Sequence, residues 1–184
     1  MFISLNEILS LAIISVILGY IFSGFIQRPR KEFEFGKKFD WEDIKFAMII
    51  AAPAVILHEF GHKFVAIAFG LNAAFHIFWF GLLLGVIIKL LSFPLLFLAP
   101  AYVAIPAGAT YLQSGIIAFA GPAVNLLLFG VSWLMLKHRK NMSLHERAIW
   151  IISKRLNLLL FAFNLIPIPP LDGYQVLEGL MNSF

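Results

Sequence analysis

Residues 44–70 read IKFAMIIAAPAVILHEFGHKFVAIAFG, and this run decides the fold because it can cross a bilayer while carrying His58, Glu59 and His62 near its middle. A hydrocarbon core about 30 Å thick takes roughly 20 residues of apolar helix. An ionisable side chain at that depth costs at least about 2.5 to 3.5 kcal/mol, so three of them within five positions need a reason. Similar apolar lengths run from Ile8 to Ile26, from Gln113 to Leu136 and from Arg147 to Ile166, and all three read as helices. The first has no basic start and no small-residue cleavage site, so it is expected to be a retained span rather than a signal peptide.

Composition agrees. Of 184 residues, 61% are apolar or aromatic and 13% are charged, with a mean hydropathy of +0.90. Soluble domains are about 45 to 50% apolar and about 25% charged, which sets the ordinary soluble enzyme and the disordered chain aside. Cysteine is absent, so a disulfide scaffold is excluded as well. Most of the charged residues, which sum to +4, sit in two polar stretches, Gln27 to Lys45 and Lys137 to Arg155. Their lysines and arginines flank apolar runs and are expected to meet lipid headgroups, not nucleic acid. Lys63 and Lys89 are expected to snorkel along apolar surface.

Between Leu71 and Thr110 the apolar pattern is broken by Gly81, Gly85, Pro94, Pro100, Pro106 and Gly108, and Ala101 to Ile105 reads as a short strand. Irregular backbone at membrane depth survives only where protein or a water-filled cavity satisfies its amides, so a re-entrant or hairpin element is expected here. A conventional helix over part of Phe80 to Phe97 is the alternative. The predicted fold is an all-α polytopic membrane protein of about four to six transmembrane helices, with a re-entrant or short β element after the second helix. It forms a single domain over residues 1–184, in which 1–43 supply an N-terminal helix and polar loop and 44–184 the catalytic core.

The chemistry lies in the second span. At about 100° per residue, His58 and His62 sit one turn apart on one helix face, where two imidazoles can grip one divalent metal. Glu59 stands next round the helix, within reach of a water on that metal without being a ligand, the arrangement of H-E-x-x-H hydrolytic sites. Gly61 is expected to keep that face open. Random order of this composition yields the pattern about 0.005 times per chain. His145-Glu146 shows the contrast, because Ile149 stands where a second ligand would fall.

Zinc usually takes three protein ligands, and Asp172 is the candidate for the third. It follows Pro167, Pro169 and Pro170, which must end the fourth helix, and it is also placed to N-cap a helix from Gly173 to Leu180. Asn125 and Asn164 are uncharged polar groups in helices, read either as interhelical hydrogen-bonding groups or as donors to an oxyanion. His76, His138, His145 and Glu178 are read as structural.

With His58-Glu59-Phe60-Gly61-His62, Ala120-Gly121-Pro122-Ala123-Val124-Asn125 and Asn164-x-x-Pro167 through Leu171-Asp172-Gly173 in this order, the chain resembles the site-2 protease family of intramembrane zinc metalloproteases. The resemblance covers about Ile44 to Phe184. It implies one zinc ion per chain on His58, His62 and Asp172, Glu59 as general base, Asn164 at substrate or oxyanion, and the Gly121 to Asn125 element along the substrate path. It implies transmembrane protein substrates, the lipid bilayer as surroundings and a multi-pass place in the cell membrane. Ala123-Val124 stands where a Leu-Ala pair is frequent, and the form is minimal, without PDZ or CBS domain. Family topology runs the histidine helix toward the cytoplasm, whereas the basic stretch before it favours the reverse, and both orientations stay open. A transporter with a midplane metal site and a non-proteolytic relative that binds membrane proteins are the rival readings; no internal repeat supports the first, and the second would be expected to lose Glu59 or a ligand.

Overall fold

The computed structural model describes residues 4–29, 40–91, 101–104 and 108–183. It is mostly helical: α1 (Leu5–Phe22), α2 (Trp41–Ala68), β1 (Ala74–Ile77), α3 (Trp79–Leu90), β2 (Ala101–Ala104), α4 (Tyr111–His138), α5 (Leu144–Asn164) and α6 (Asp172–Met181). Each long helix begins where a side chain satisfies its first free amides. Ser4 and Glu7 form a capping box on α1, and Thr110 and Gln113 form another on α4. Asp40 and Ser143 cap α2 and α5 by accepting from the amides of Glu42 and Glu146. The end of α5 at Asn164 falls just before the proline cluster, as the missing amides require.

α1, α2 and α4 are long and apolar enough to cross a membrane, so the described residues hold three of the four to six spans expected. α5 has 21 residues but carries Glu146, Arg147, Lys154 and Arg155, and α3, with 12 residues, falls short of a bilayer. α2 is the central element. In its most apolar window 61% of the residues are buried, against 33% in α1 and in α4, because α1 packs on one side of it and α4 on the other. Leu9, Ile13 and Val16 on α1 and Leu127, Val131 and Leu134 on α4 stay exposed. In water such faces would be a liability, and in a bilayer they are the lipid surface.

Ion pairs lock the ends of α1 and α2 into an antiparallel pair. Arg28 lies 3.4 Å from Asp40 and 3.5 Å from Asp43 at one end. At the other, Lys63 Nζ lies 2.5 Å from Glu7 Oε1, which also accepts from the Phe75 amide at 2.9 Å. This corrects the snorkelling expectation: Lys63 is only 2% exposed, because the start of α1 brings a carboxylate across to it. Lys89 likewise turns inward, bonding the Tyr20 carbonyl and Ser23 Oγ and lying over the Tyr20 ring.

The segment after α2 forms the expected short β element. β1 and β2 pair antiparallel with Ala74 opposite Ala104, Phe75 opposite Val103, His76 opposite Tyr102 and Ile77 opposite Ala101. This register brings the chain back to the level it left, with α3 between the strands in sequence. Ile105, the last residue of the expected strand, and the stretch from Ser92 to Phe97 that would have extended α3 lie outside the described residues. So do Pro94, Pro100 and Pro106 and most of the first basic stretch.

Candidate metal centre

Helical periodicity alone places His58 and His62 together on α2, and the rings meet edge to face with their Nε2 atoms 3.1 Å apart. α6 supplies the third group. Asp172 Oδ2 lies 3.2 Å from His58 Nε2 and 3.5 Å from His62 Nε2. The helix start predicted at Gly173 falls one residue earlier: Leu171 is the N-cap and Asp172 the first helical residue, and no side chain caps this helix. The Asp172 carboxylate is therefore turned to the histidines and not to its own backbone.

Two hydrogen bonds settle which imidazole nitrogens face inward. His58 Nδ1 contacts Asn125 Oδ1 at 2.6 Å and His62 Nδ1 contacts the Ile117 carbonyl at 2.7 Å. Both partners are acceptors, so each Nδ1 carries a proton and, in the neutral ring, each Nε2 presents a lone pair. Two lone pairs and a carboxylate oxygen thus converge on one point, and Asp172 Oδ2 is buried with no hydrogen-bond donor. Such a cluster repels itself unless a proton or a metal ion lies among the three atoms. Two imidazole nitrogens and a carboxylate oxygen are a donor set that suits zinc. Among the described residues this is the one group of three or more such side chains close enough to share an ion. His76, His138, His145 and Glu178 are elsewhere.

Gly121 makes the site possible. A Cβ there would come within 2.8 Å of His58 Cε1 and overlap the His62 ring, so only glycine lets α4 pass behind both imidazoles. Gly61, expected to keep the metal face open, is instead where α2 meets α4: a Cβ at that position would lie 2.7 Å from the Ala120 carbonyl oxygen.

The three residues border a cavity of about 530 Å³ lined also by Glu59, Ala101, Tyr102, Val103 and Asn164. Asn164, the last residue of α5, donates one amide hydrogen to the Leu160 carbonyl at 2.9 Å while facing this space. Asn125 is placed differently from an oxyanion donor. It is fully buried, does not line the cavity, and spends its Nδ2 group on the Ala54 carbonyl at 3.0 Å and on Asn157 Oδ1 at 2.9 Å. Its partner Asn157 is not among the residues singled out from sequence. The signal that points to it is the recurrence of Ser153, Asn157 and Asn164 on one face of α5.

Fold and site together define a mostly helical membrane protein built round a buried centre of two histidines and one carboxylate. Comparison with known proteins adds the family. The chain is 36% identical over 140 residues to MJ0611 of Methanocaldococcus jannaschii, covering 72% of this chain and 69% of that protein. It is 32% identical over 161 residues to Rip2 of Mycolicibacterium smegmatis (74% of this chain, 58% of that one), and 40% identical over 77 residues to YwhC of Bacillus subtilis (36% and 34%). All three bear the name "putative zinc metalloprotease". No family model matches the chain, and no solved structure matches it. The chain belongs to the zinc metalloprotease family of MJ0611.

Proposed function

We propose that the protein is an intramembrane zinc metalloendopeptidase of the site-2 protease type, a multi-pass protein of the cell membrane that hydrolyses peptide bonds in or near transmembrane segments of other membrane proteins. The observation that carries this reading is the convergence of His58 Nε2, His62 Nε2 and Asp172 Oδ2 beside Glu59, with both histidines on a helix long and apolar enough to cross a bilayer. His58, His62 and Asp172 would hold the metal. Zinc so held supplies a Lewis acid that brings the pKa of water toward about 7 and polarises a peptide carbonyl.

Glu59, one position from the first ligand and on the cavity wall, takes a proton from the attacking water. As the carbon–oxygen bond forms and the carbon–nitrogen bond breaks, the same carboxyl group returns a proton to the leaving amine. A helical substrate must first expose its peptide bond. β2 suits this step, because Ala101, Tyr102 and Val103 line the cavity and, among the described residues, β1 pairs with only one of the strand's two edges. Asn164 faces the same space and has an amide hydrogen to offer the substrate or the oxyanion.

The test is cleavage of a defined transmembrane substrate by the purified protein, with Glu59→Gln and chelator treatment in parallel. Glu59→Gln is expected to retain zinc while losing about 10²- to 10⁴-fold in rate, the usual contribution of a general base. Cleavage that survives both treatments refutes the proposal.

A further inference from the structure

Behind His58 a chain of buried polar side chains crosses from α2 through α4 to α5, in which His58, Asn125 and Asn157 each donate to the next member away from the centre. His58 Nδ1–H donates to Asn125 Oδ1, Asn125 Nδ2 to Asn157 Oδ1, and Asn157 Nδ2 to the Ser153 carbonyl at 2.9 Å and to Ser153 Oγ at 3.2 Å. Ser132 Oγ donates to the Leu128 carbonyl at 2.8 Å and lies 3.2 Å from Ser153 Oγ. Asn125, Asn157 and Ser132 are at most 1% exposed. Water cannot substitute for a missing partner without opening the interior.

The direction of this chain matters because an amide has two ends. With its oxygen toward His58, Asn125 keeps the proton on Nδ1 and the lone pair on Nε2. With its nitrogen there it would demand the opposite tautomer and aim an N–H at the other two ligands. Asn125 is held by acceptors for its two amide hydrogens, the Ala54 carbonyl and Asn157 Oδ1. Asn157 in turn has its own direction set by Ser153.

We propose that Asn157 is a positioning residue of the metal centre: through Asn125 it holds His58 in the tautomer whose Nε2 can bind metal. The inference rests on the zinc reading above. Partners behind a metal-bound histidine orient the ring and raise its basicity, and their loss typically weakens metal binding about 10- to 100-fold.

The test is zinc affinity by chelator competition on the full chain in detergent micelles, with the absorption spectrum of the cobalt-loaded protein as a second readout. Asn157→Leu, which removes the acceptor, is expected to weaken zinc binding about 10- to 100-fold and to alter the cobalt bands. Asn157→Ala replaces it if the larger side chain prevents folding. Asn157→Asp, whose protonated carboxyl group can donate to Ser153 and still accept from Asn125, should stay within about threefold of wild type, well short of the usual loss. Gly130→Ala, on α4 but outside this chain and with nothing within 4 Å of the added Cβ, should leave affinity unchanged. Wild-type affinity in Asn157→Leu or Asn157→Ala, or an equal loss in Asn157→Asp, overturns the proposal. A wild-type chain that binds neither zinc nor cobalt overturns the metal reading and this inference together; metal bound alike by wild type and variants overturns this inference alone.

Discussion

Adding a single methyl group at Gly121 should disable the metal centre while leaving the fold in place. In Gly121→Ala the new Cβ would lie 2.8 Å from His58 Cε1 and overlap the His62 imidazole, whereas ordinary contact begins at 3.4 Å. His58 must therefore retreat by about 0.6 Å, roughly three times the ±0.2 Å tolerance on metal–ligand distances, and the His62 ring by more. Overpacking of this kind costs about 1 to 3 kcal/mol. Taken from metal binding at about 1.4 kcal/mol per tenfold, that is a loss of roughly 5- to 150-fold in zinc affinity. The backbone gains about 1 kcal/mol of helix propensity from the same change, so the chain should still fold. Gly130→Ala is the control, on the same helix with nothing within 4 Å of the new Cβ. Chelator competition measures affinity, and thermal unfolding in micelles monitors the fold. Zinc affinity within about twofold of wild type in Gly121→Ala, below the smallest loss that overpacking predicts, refutes the reasoning. So does an equal loss in Gly130→Ala.

Two other sites yield measurable outcomes. Glu7→Gln leaves the Lys63 ammonium, 2% exposed, without its counter-charge, and should destabilise the chain by about 3 to 5 kcal/mol. At about 2 to 4 °C per kcal/mol this lowers Tm by roughly 6 to 20 °C, and adding Lys63→Met should restore the greater part; a double variant no better than Glu7→Gln contradicts the pair. In β2, amide direction alternates along the strand, so while one of Tyr102→Pro and Val103→Pro breaks the ladder with β1, the other spares it and blocks only the outer edge. That variant should lose cleavage at unchanged zinc content, and normal turnover would remove the strand from substrate binding.

Much of this architecture is legible in the order of the residues. Local rules suffice for a helix whose apolar length matches a bilayer, for two histidines four residues apart on one face, and for a helix end at clustered prolines. The short strand after α2 is readable from its interrupted apolar pattern. The partner of Lys63 is not, for Glu7 lies 56 residues away and meets it only because α1 runs antiparallel to α2. Nor is the place of Asn125, since a polar residue in an apolar helix has the same spacing whether it faces a cavity or a neighbouring helix.

The sequence by itself determined the long apolar helices α1, α2 and α4, the pairing of His58 with His62 and the adjacency of Glu59, because these depend on spacing within one helix. It also marked Asp172 as an acid that needed a reason to be where it is. Only the tertiary structure decided that Asp172 turns to the histidines instead of capping its helix, that Asn125 stands behind His58, and that Asn157 stands behind Asn125. Those relations depend on the rotation and approach of separate helices. Gly61 and Gly121, where backbone and imidazole ring leave no room for a side chain, allow that approach.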